Sequence, residues 1–248
     1  MCSTDLAYVI IDKYHLVYLF SIKFESSFIE VFMDTIYHKY KYPQTMHLPF
    51  SPGLQNDDRR IQTLDELNGR DVVATIKYDG ENTTMGTNYI HARSLDSRHH
   101  PSRDWVKSFW GDINYLIPKD WRICGENVYA KHSIGYENLE SYFYGFSIWN
   151  EDNVALGWDE TLQWFEELNI TPVQTLYRGP FDLEVLENLS KTIDPSKIEG
   201  FVVRVSGAVH YDEFDLKFAK WVRKGHVQTN KHWMTDAVVP NRLKESEW

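Results

Sequence analysis

The stretch TIKYDGENTTMG, residues 75–86, decides how this chain is read. The run before Lys77, Val72-Val73-Ala74-Thr75-Ile76, is β-branched and apolar, so it reads as a strand that delivers Lys77 near its end. Asp79-Gly80 is then a hairpin turn signal, because glycine takes positive φ at little steric cost. These residues alone leave two readings: an ordinary hairpin with a surface lysine, or a turn that presents a reactive one.

Working outward, strand signals recur at residues 71–78, 82–87, 89–94, 121–129, 142–149, 173–177, 198–206 and 214–222. Helical patterns intervene at about 102–116, 159–168 and 181–193. In DETLQWFEELN the apolar residues Leu162, Phe165 and Leu168 recur at helical spacing beside Trp164, with Asp159 as a candidate cap. Mixed order with strands dominating predicts an α+β domain with antiparallel sheets and flanking helices. YPQTMHLPFSPGLQNDDRR is rich in Pro, Gly and Asp and reads as a loop joining an N-terminal segment to that domain.

The 248 residues suffice for one large or two small domains with a proper core. Aromatic residues make up 15%, which suits a sheet-rich core or sites that stack flat ligands. Two cysteines, Cys2 and Cys124, provide no disulfide framework, so a reducing, cytoplasmic setting is expected. The apolar YHLVYLFSI is bounded by Lys13 and Lys23, too short for a membrane span, and it lacks the basic start of a secretory signal.

A net charge of −10 argues against indiscriminate nucleic-acid binding. Two local runs oppose that average. Lys217 to Met234 contains five Lys or Arg and no acid, and His91 to Lys107 contains Arg93, Arg98, Arg103 and Lys107. Both suit a partner that carries phosphate.

A lysine attacks only as the neutral amine, so its pKa must be lowered by burial or neighbouring positive charge. Attack on a nucleotide α-phosphate also needs cations, metal-holding carboxylates and a flat surface for the base. Candidates for each occur in order: Arg93 in HARSLDSR, Glu126 in ICGEN, Phe146 in FYGFSIW, Glu199 in EGFVVRV, and Lys217 and Lys220 in DLKFAKWVRK. Phe143, Tyr144 and Trp149 compete with Phe146, and Arg98 is the fallback for Arg93.

These ordered blocks resemble the motifs of the covalent nucleotidyltransferase superfamily, with K-x-D-G at Lys77, Asp79 and Gly80. Asn82 and the blocks HARSLDSRHHPSRDWVK and AKWVRKGHVQTNKHWM bring it nearest to ATP-dependent RNA ligases of the phage RNA ligase 2 type, over roughly residues 38–236. The resemblance implies an ATP-grasp-like ligase adenylation domain, ATP with Mg2+ or Mn2+ as cofactors, and RNA with 5′-phosphate and 3′-OH ends as partner. A nicked duplex and an RNA–DNA hybrid stay open as forms of that RNA.

It further implies that Lys77 attacks ATP to give lysyl-AMP, with Asp79, Gly80 and Asn82 in the same nucleotide-binding motif. Arg93 would hold the ribose or the RNA phosphate, Glu126 the ribose hydroxyls, and Phe146 the adenine. Glu199 would help bind metal, while Lys217 and Lys220 would contact the α-phosphate and help keep Lys77 neutral. A DNA-end ligase, a guanylyltransferase and a catalytically silent nucleic-acid-binding module are the alternatives.

The family usually places its last two lysines two residues apart, on one strand face. Here they are three apart, so one of the two faces the site unless a bulge intervenes, and Lys217 is the expected one. About two dozen residues follow that motif, so no OB-fold is expected. The domain organisation expected is an N-terminal extension over 1–32, the nucleotidyltransferase domain over 33–236 and a C-terminal tail over 237–248. Met33 is a candidate native start, with an accessory hairpin in 1–32 as the competing reading.

Overall fold

Val72 through Ile76 are all buried in the computed structural model, so the strand leading to Lys77 is covered on both faces. That explains why it reads as a continuous apolar run rather than an alternation. The structure describes residues 11–12, 15–16, 39–55, 57–225 and 237–245. The chain divides into two compact units, Met1–Lys41 and Tyr42–Trp248.

In the first unit β1 (Ile11–Asp12) pairs antiparallel with β2 (His15–Leu16). The expectations about Met33 as the start and about the basic residues beyond Gly225 lie outside the described residues.

The second unit runs β3 (Met46–His47), β4 (Asp71–Lys77), β5 (Glu81–Gly86), β6 (Ile90–Ala92), α1 (Asp104–Ile113), β7 (Arg122–Asn127), β8 (Phe143–Trp149) and β9 (Val154–Ala155). It continues α2 (Trp158–Glu167), β10 (Thr171–Pro172), β11 (Thr175–Pro180), α3 (Leu183–Thr192), β12 (Gly200–Val205), β13 (Val209–His210), α4 (Phe214–Lys217) and β14 (Phe218–Val222). One sheet has five strands in the order β11-β4-β12-β14-β3. The other has seven, ordered β13-β9-β8-β7-β5-β6 with β10 beside β8. Pairing is antiparallel except at β14–β3 and β10–β8, so the α+β expectation with antiparallel sheets and flanking helices holds.

The expected hairpin at Asp79-Gly80 does not form, because β4 and β5 belong to different sheets. Tyr78 to Gly80 is the crossover between them. The glycine is needed for close approach: a Cβ on Gly80 would lie 2.5 Å from the Asn127 carbonyl oxygen. The signal was real, and its cause was packing.

Helix α2 also differs in detail. It starts at Trp158 with Gly157 at the cap, and it buries Trp158, Thr161 and Phe165. Asp159 lies inside the first turn, paired in a bidentate manner with Arg178 at 2.6 and 2.7 Å. Leu186 of α3 joins Val72, Ala74, Phe201 and Val203 in one core cluster, while Val106, Ile113 and Phe165 join Met85, Ile123 and Ile148 in another. Each such side chain, once buried, contributes on the order of 1.5–3 kcal/mol.

Residues 237–245, set apart in the sequence as a tail, are built into this unit. Asn241, 4% exposed, accepts from the Tyr136 N–H at 2.8 Å and donates to the Val128 carbonyl at 2.7 Å. No helix among the described residues is long and apolar enough to cross a membrane.

Candidate active site

Lys77 ends β4 with its ammonium 2.5 Å from the Glu199 carboxylate. The pairing follows from register. Gly200 at the start of β12 lies opposite Lys77 on β4 and Val222 on β14, so the residue before it meets the lysine. Backbone bonds lock the arrangement: Glu199 N–H donates to the Lys77 carbonyl at 3.2 Å, and Arg223 N–H to the Glu199 carbonyl at 3.0 Å. Only glycine fits at position 200, where a Cβ would stand 1.9 Å from the Trp221 carbonyl oxygen.

Lys77 and Glu199 open onto a cleft of about 610 Å³ lined from both sheets. That volume suits a nucleotide-sized ligand. From the five-stranded sheet come Thr75, Val202, Arg204, Phe218 and Lys220, and from the seven-stranded sheet Asn82, Glu126 and Phe146. Arg93, exposed just past β6, stands on the same lining, whereas its fallback Arg98 does not.

Among the aromatic candidates the cleft selects Phe146, which meets Tyr42 edge-on at 5.1 Å. Its competitors are spent elsewhere. Tyr144 stacks on Tyr78 at 4.4 Å, Phe143 packs against Phe109, and Trp149 lies beneath the Arg122 guanidinium at 4.6 Å.

The two lysines divide differently from expectation. Lys217 closes the short helix α4 rather than sitting on a strand, pairs with Glu213 at 2.8 Å, and does not line the cleft. Lys220 lines it. Strand alternation from Phe218 puts Phe218 and Lys220 on the cleft face, so the position two before Lys220 is aromatic. Arg204 sits directly opposite Phe218 with its guanidinium 4.7 Å over that ring, donating to the Leu156 carbonyl at 2.6 Å.

Asp79 does not line the cleft, although its neighbours Tyr78 and Gly80 do. Its carboxylate accepts from Ser133 N–H at 2.8 Å, Ser133 Oγ at 2.6 Å and Ile134 N–H at 2.9 Å, while its own N–H donates to Tyr136 Oη at 2.9 Å. Asp79 therefore pins the 133–136 segment to the crossover, which sets His132 into the cleft wall. Arg103, from the basic run, is likewise structural: buried, it forms a bidentate pair with Glu81.

The electrostatics correct one expectation. Burial pulls the Lys77 ammonium down, but Glu199, Glu126 and Asp79 together outweigh it and hold its pKa above the usual lysine value. The ligand-free lysine is thus protonated, not neutral. Burial pushes Glu126 up to about 8, with Glu199 and Asp79 adding to the rise and Lys77 opposing it. His132 is lowered by burial against the pull of Asp79, Glu81 and Glu199, so it faces the cleft neutral at pH 7.

The buried Asn82 Oδ1 and Arg204 Nη1, atoms of cleft residues, have no hydrogen-bond partner among the described residues. Orphans of this kind mark places where a ligand completes the bonding. The desolvated carboxylates fit a divalent cation. No group of three His, Cys, Asp or Glu among the described residues is arranged to hold one, so phosphate oxygens and water would supply most of its shell.

Asp58, His132, Tyr42 and Arg204 are cleft residues that the sequence reading missed. Asp58 lies in the loop-like NDDRR and His132 in AKHS, with no local periodicity to single out either.

Among solved structures, the chain is similar to an archaeal ATP-dependent RNA ligase, form 2, at 14% identity and a TM-score of 0.51, covering 76% of this chain and 50% of that one. Form 1 gives 15% and 0.50, covering 77% and 50%. The Naegleria gruberi RNA ligase with PPi gives 20% and 0.48, covering 74% and 62%. The chain thus spans about half the length of the archaeal proteins, and at these identities the likeness is one of fold. No curated protein matches the chain. Residues 70–222, the span from the strand that delivers Lys77 to the end of β14, match the RNA ligase family, and the chain belongs to that family.

Proposed function

We propose that the chain is an ATP-dependent RNA ligase that works through a covalent Lys77-AMP intermediate. The observation that carries the reading is the Lys77–Glu199 pair in the lining of a cleft that also presents Phe146 and Lys220. Adenine stacks on Phe146, the ribose meets Glu126 and the orphaned Asn82 oxygen, and the phosphates lie towards Lys220 and Lys77.

In the first step a bond forms between Lys77 Nζ and the α-phosphorus, and the bond from that phosphorus to pyrophosphate breaks. Lys77 must first give up its proton. Burial favours the neutral amine and the carboxylates oppose it, so engaging Glu199 and Glu126 with other partners leaves burial to act. A divalent cation, when bound, supplies charge neutralisation at the phosphates. Glu199 would hold it.

The adenylate then passes to a 5′-phosphate end, and a 3′-hydroxyl displaces AMP to seal the strand. Arg93, exposed on the cleft lining, supports contact with that end. The lone described cysteine, Cys124, is buried and free, in keeping with a cytoplasmic setting.

The test is incubation with ATP labelled at the α-phosphate, with Mg2+ or Mn2+, followed by a denaturing gel. Label on the wild type and not on Lys77→Ala is the expected result, and absence of label under both metals overturns it. GTP in place of ATP separates adenylyl from guanylyl transfer, and nicked RNA, DNA and hybrid duplexes then rank the substrates.

A further inference from the structure

We infer that Asp58 is a positioning residue that holds Lys220 at the nucleotide phosphates through a chain of contacts anchored on the buried Ser51. The inference rests on the reading of the cleft as an ATP site. Three neighbouring stretches supply the alignment. Lys220 on β14 is in register with His47 on the parallel β3, and residue 60 bridges to His47 in turn.

Lys220 Nζ donates to Asp58 Oδ1 at 2.9 Å. The other oxygen, Oδ2, accepts from the Gln55 N–H at 3.2 Å and lies 3.1 Å from His47 Nε2. His47 is fully buried, with Nδ1 2.8 Å from Ser51 Oγ. Ser51 Oγ accepts from the Val222 N–H at 3.0 Å, on the strand that carries Lys220, so the chain of contacts closes on β14. The imidazole tautomer sets which of Nδ1 and Ser51 Oγ donates, and Nε2 faces the Asp58 carboxylate at 3.1 Å.

The order Ser51-His47-Asp58 invites comparison with a hydrolytic triad. Ser51, however, is 1% exposed and absent from the cleft lining, so substrate does not reach it. The end of the chain that meets the cleft is Asp58 with Lys220. A lysine side chain has many rotamers, and holding it in one place beforehand lowers what ordering it at the phosphates costs. Burial pushes the Asp58 carboxyl up, but Lys220, the Gln55 N–H and His47 outweigh it and keep it below the usual carboxylate range, hence ionised at neutral pH.

A double-mutant cycle on the full chain tests this, read by single-turnover labelling of Lys77 at saturating ATP. Asp58→Asn is expected to slow labelling about tenfold through misplacement of Lys220, with Asp58→Glu restoring part of the rate. In the Lys220→Ala background Asp58→Asn should cost nothing more, because its effect runs only through that lysine. Independent, multiplying losses would show a general structural role and overturn the inference, as would a wild-type rate in Asp58→Asn. If Asp58→Asn does not fold, Asp58→Glu takes its place in the cycle. Calorimetric ATP affinity is measured on the same variants: a wild type that binds but takes no label sinks the covalent reading, while the cycle in affinity still decides for or against Asp58.

Discussion

Lys77 and Glu199 form an ion pair at 2.5 Å in which the carboxylate is almost fully buried and the ammonium about a quarter exposed, with side-chain exposures of 8% and 27%. A buried pair of this kind is held mainly because breaking it leaves one charge uncompensated. In this cleft the carboxylates outweigh burial and keep the lysine protonated. Glu199→Gln is therefore expected to leave Lys77 a weaker cation, and to lower the divalent-metal dependence of labelling as well as its rate. Labelling against metal concentration, followed from pH 6 to 9, checks both. An unchanged metal dependence would remove Glu199 from the metal's surroundings.

Glu126 gives stability a pH dependence with a definite sign. Its pKa rises from 4.5 unfolded to about 8 folded, because burial disfavours the carboxylate and Glu199 and Asp79 add to the effect. The folded form thus binds the extra proton between those values. This contribution is fully present below the unfolded pKa and is lost as pH rises through the folded one. Thermal unfolding should show the ligand-free protein losing stability from pH 5 to 9, and Glu126→Gln should flatten that slope. Each kcal/mol relieved at pH 9 would raise Tm by about 2–4 °C.

The two candidate lysines should separate cleanly. Lys217 pairs with Glu213 outside the cleft, whereas Lys220 lines it. Lys217→Ala is expected to label within about twofold of wild type, since the lysine, though buried, spends its charge on Glu213 away from the cleft. Lys220→Ala should lose about 10²-fold or more, the scale on which a donor aimed at developing charge acts. The reverse ranking would overturn the assignment.

Phe146 is the cleft aromatic, and a base stacked on such a ring is worth about 1–3 kcal/mol. Phe146→Ala is expected to weaken ATP binding by about 5- to 150-fold, with Phe146→Trp recovering much of it. Tyr144→Phe, which loses a hydroxyl bonded to the Glu140 N–H away from the cleft, should leave affinity unchanged and affect stability instead. Isothermal titration with ATP distinguishes them.

Asp79 and Gly200 should behave as structural members of their motifs. Asp79→Asn removes the charge that gathers three donors from Ser133 and Ile134, a loss on the order of 1–3 kcal/mol. Gly200→Ala forces a Cβ against the Trp221 carbonyl, and overpacking costs about 1–3 kcal/mol or more. Denaturant midpoints report both. For Asp79→Asn, faster amide exchange at Ser133 and Ile134 should accompany the shift.

The sequence by itself determined that a strand delivers Lys77 near its end, that an aromatic strand carries Phe146, and that Glu199 stands where another strand begins, because an apolar run bounded by turn residues is a local signal. It also showed that glycine was required at residue 80, but not why: a crossover packed against Asn127 and a hairpin turn call for the same residue type. Only the tertiary structure decided the partners. Lys77 meets Glu199 across 122 residues of chain and Lys220 meets Asp58 across 162, contacts set by which strands share a sheet and in what register. The same cause places Lys220 rather than Lys217 in the cleft, since a turn of helix before β14 sets the parity of every side chain after it. Composition and spacing carry no record of that parity, because it arises when β14 takes its place between β12 and β3.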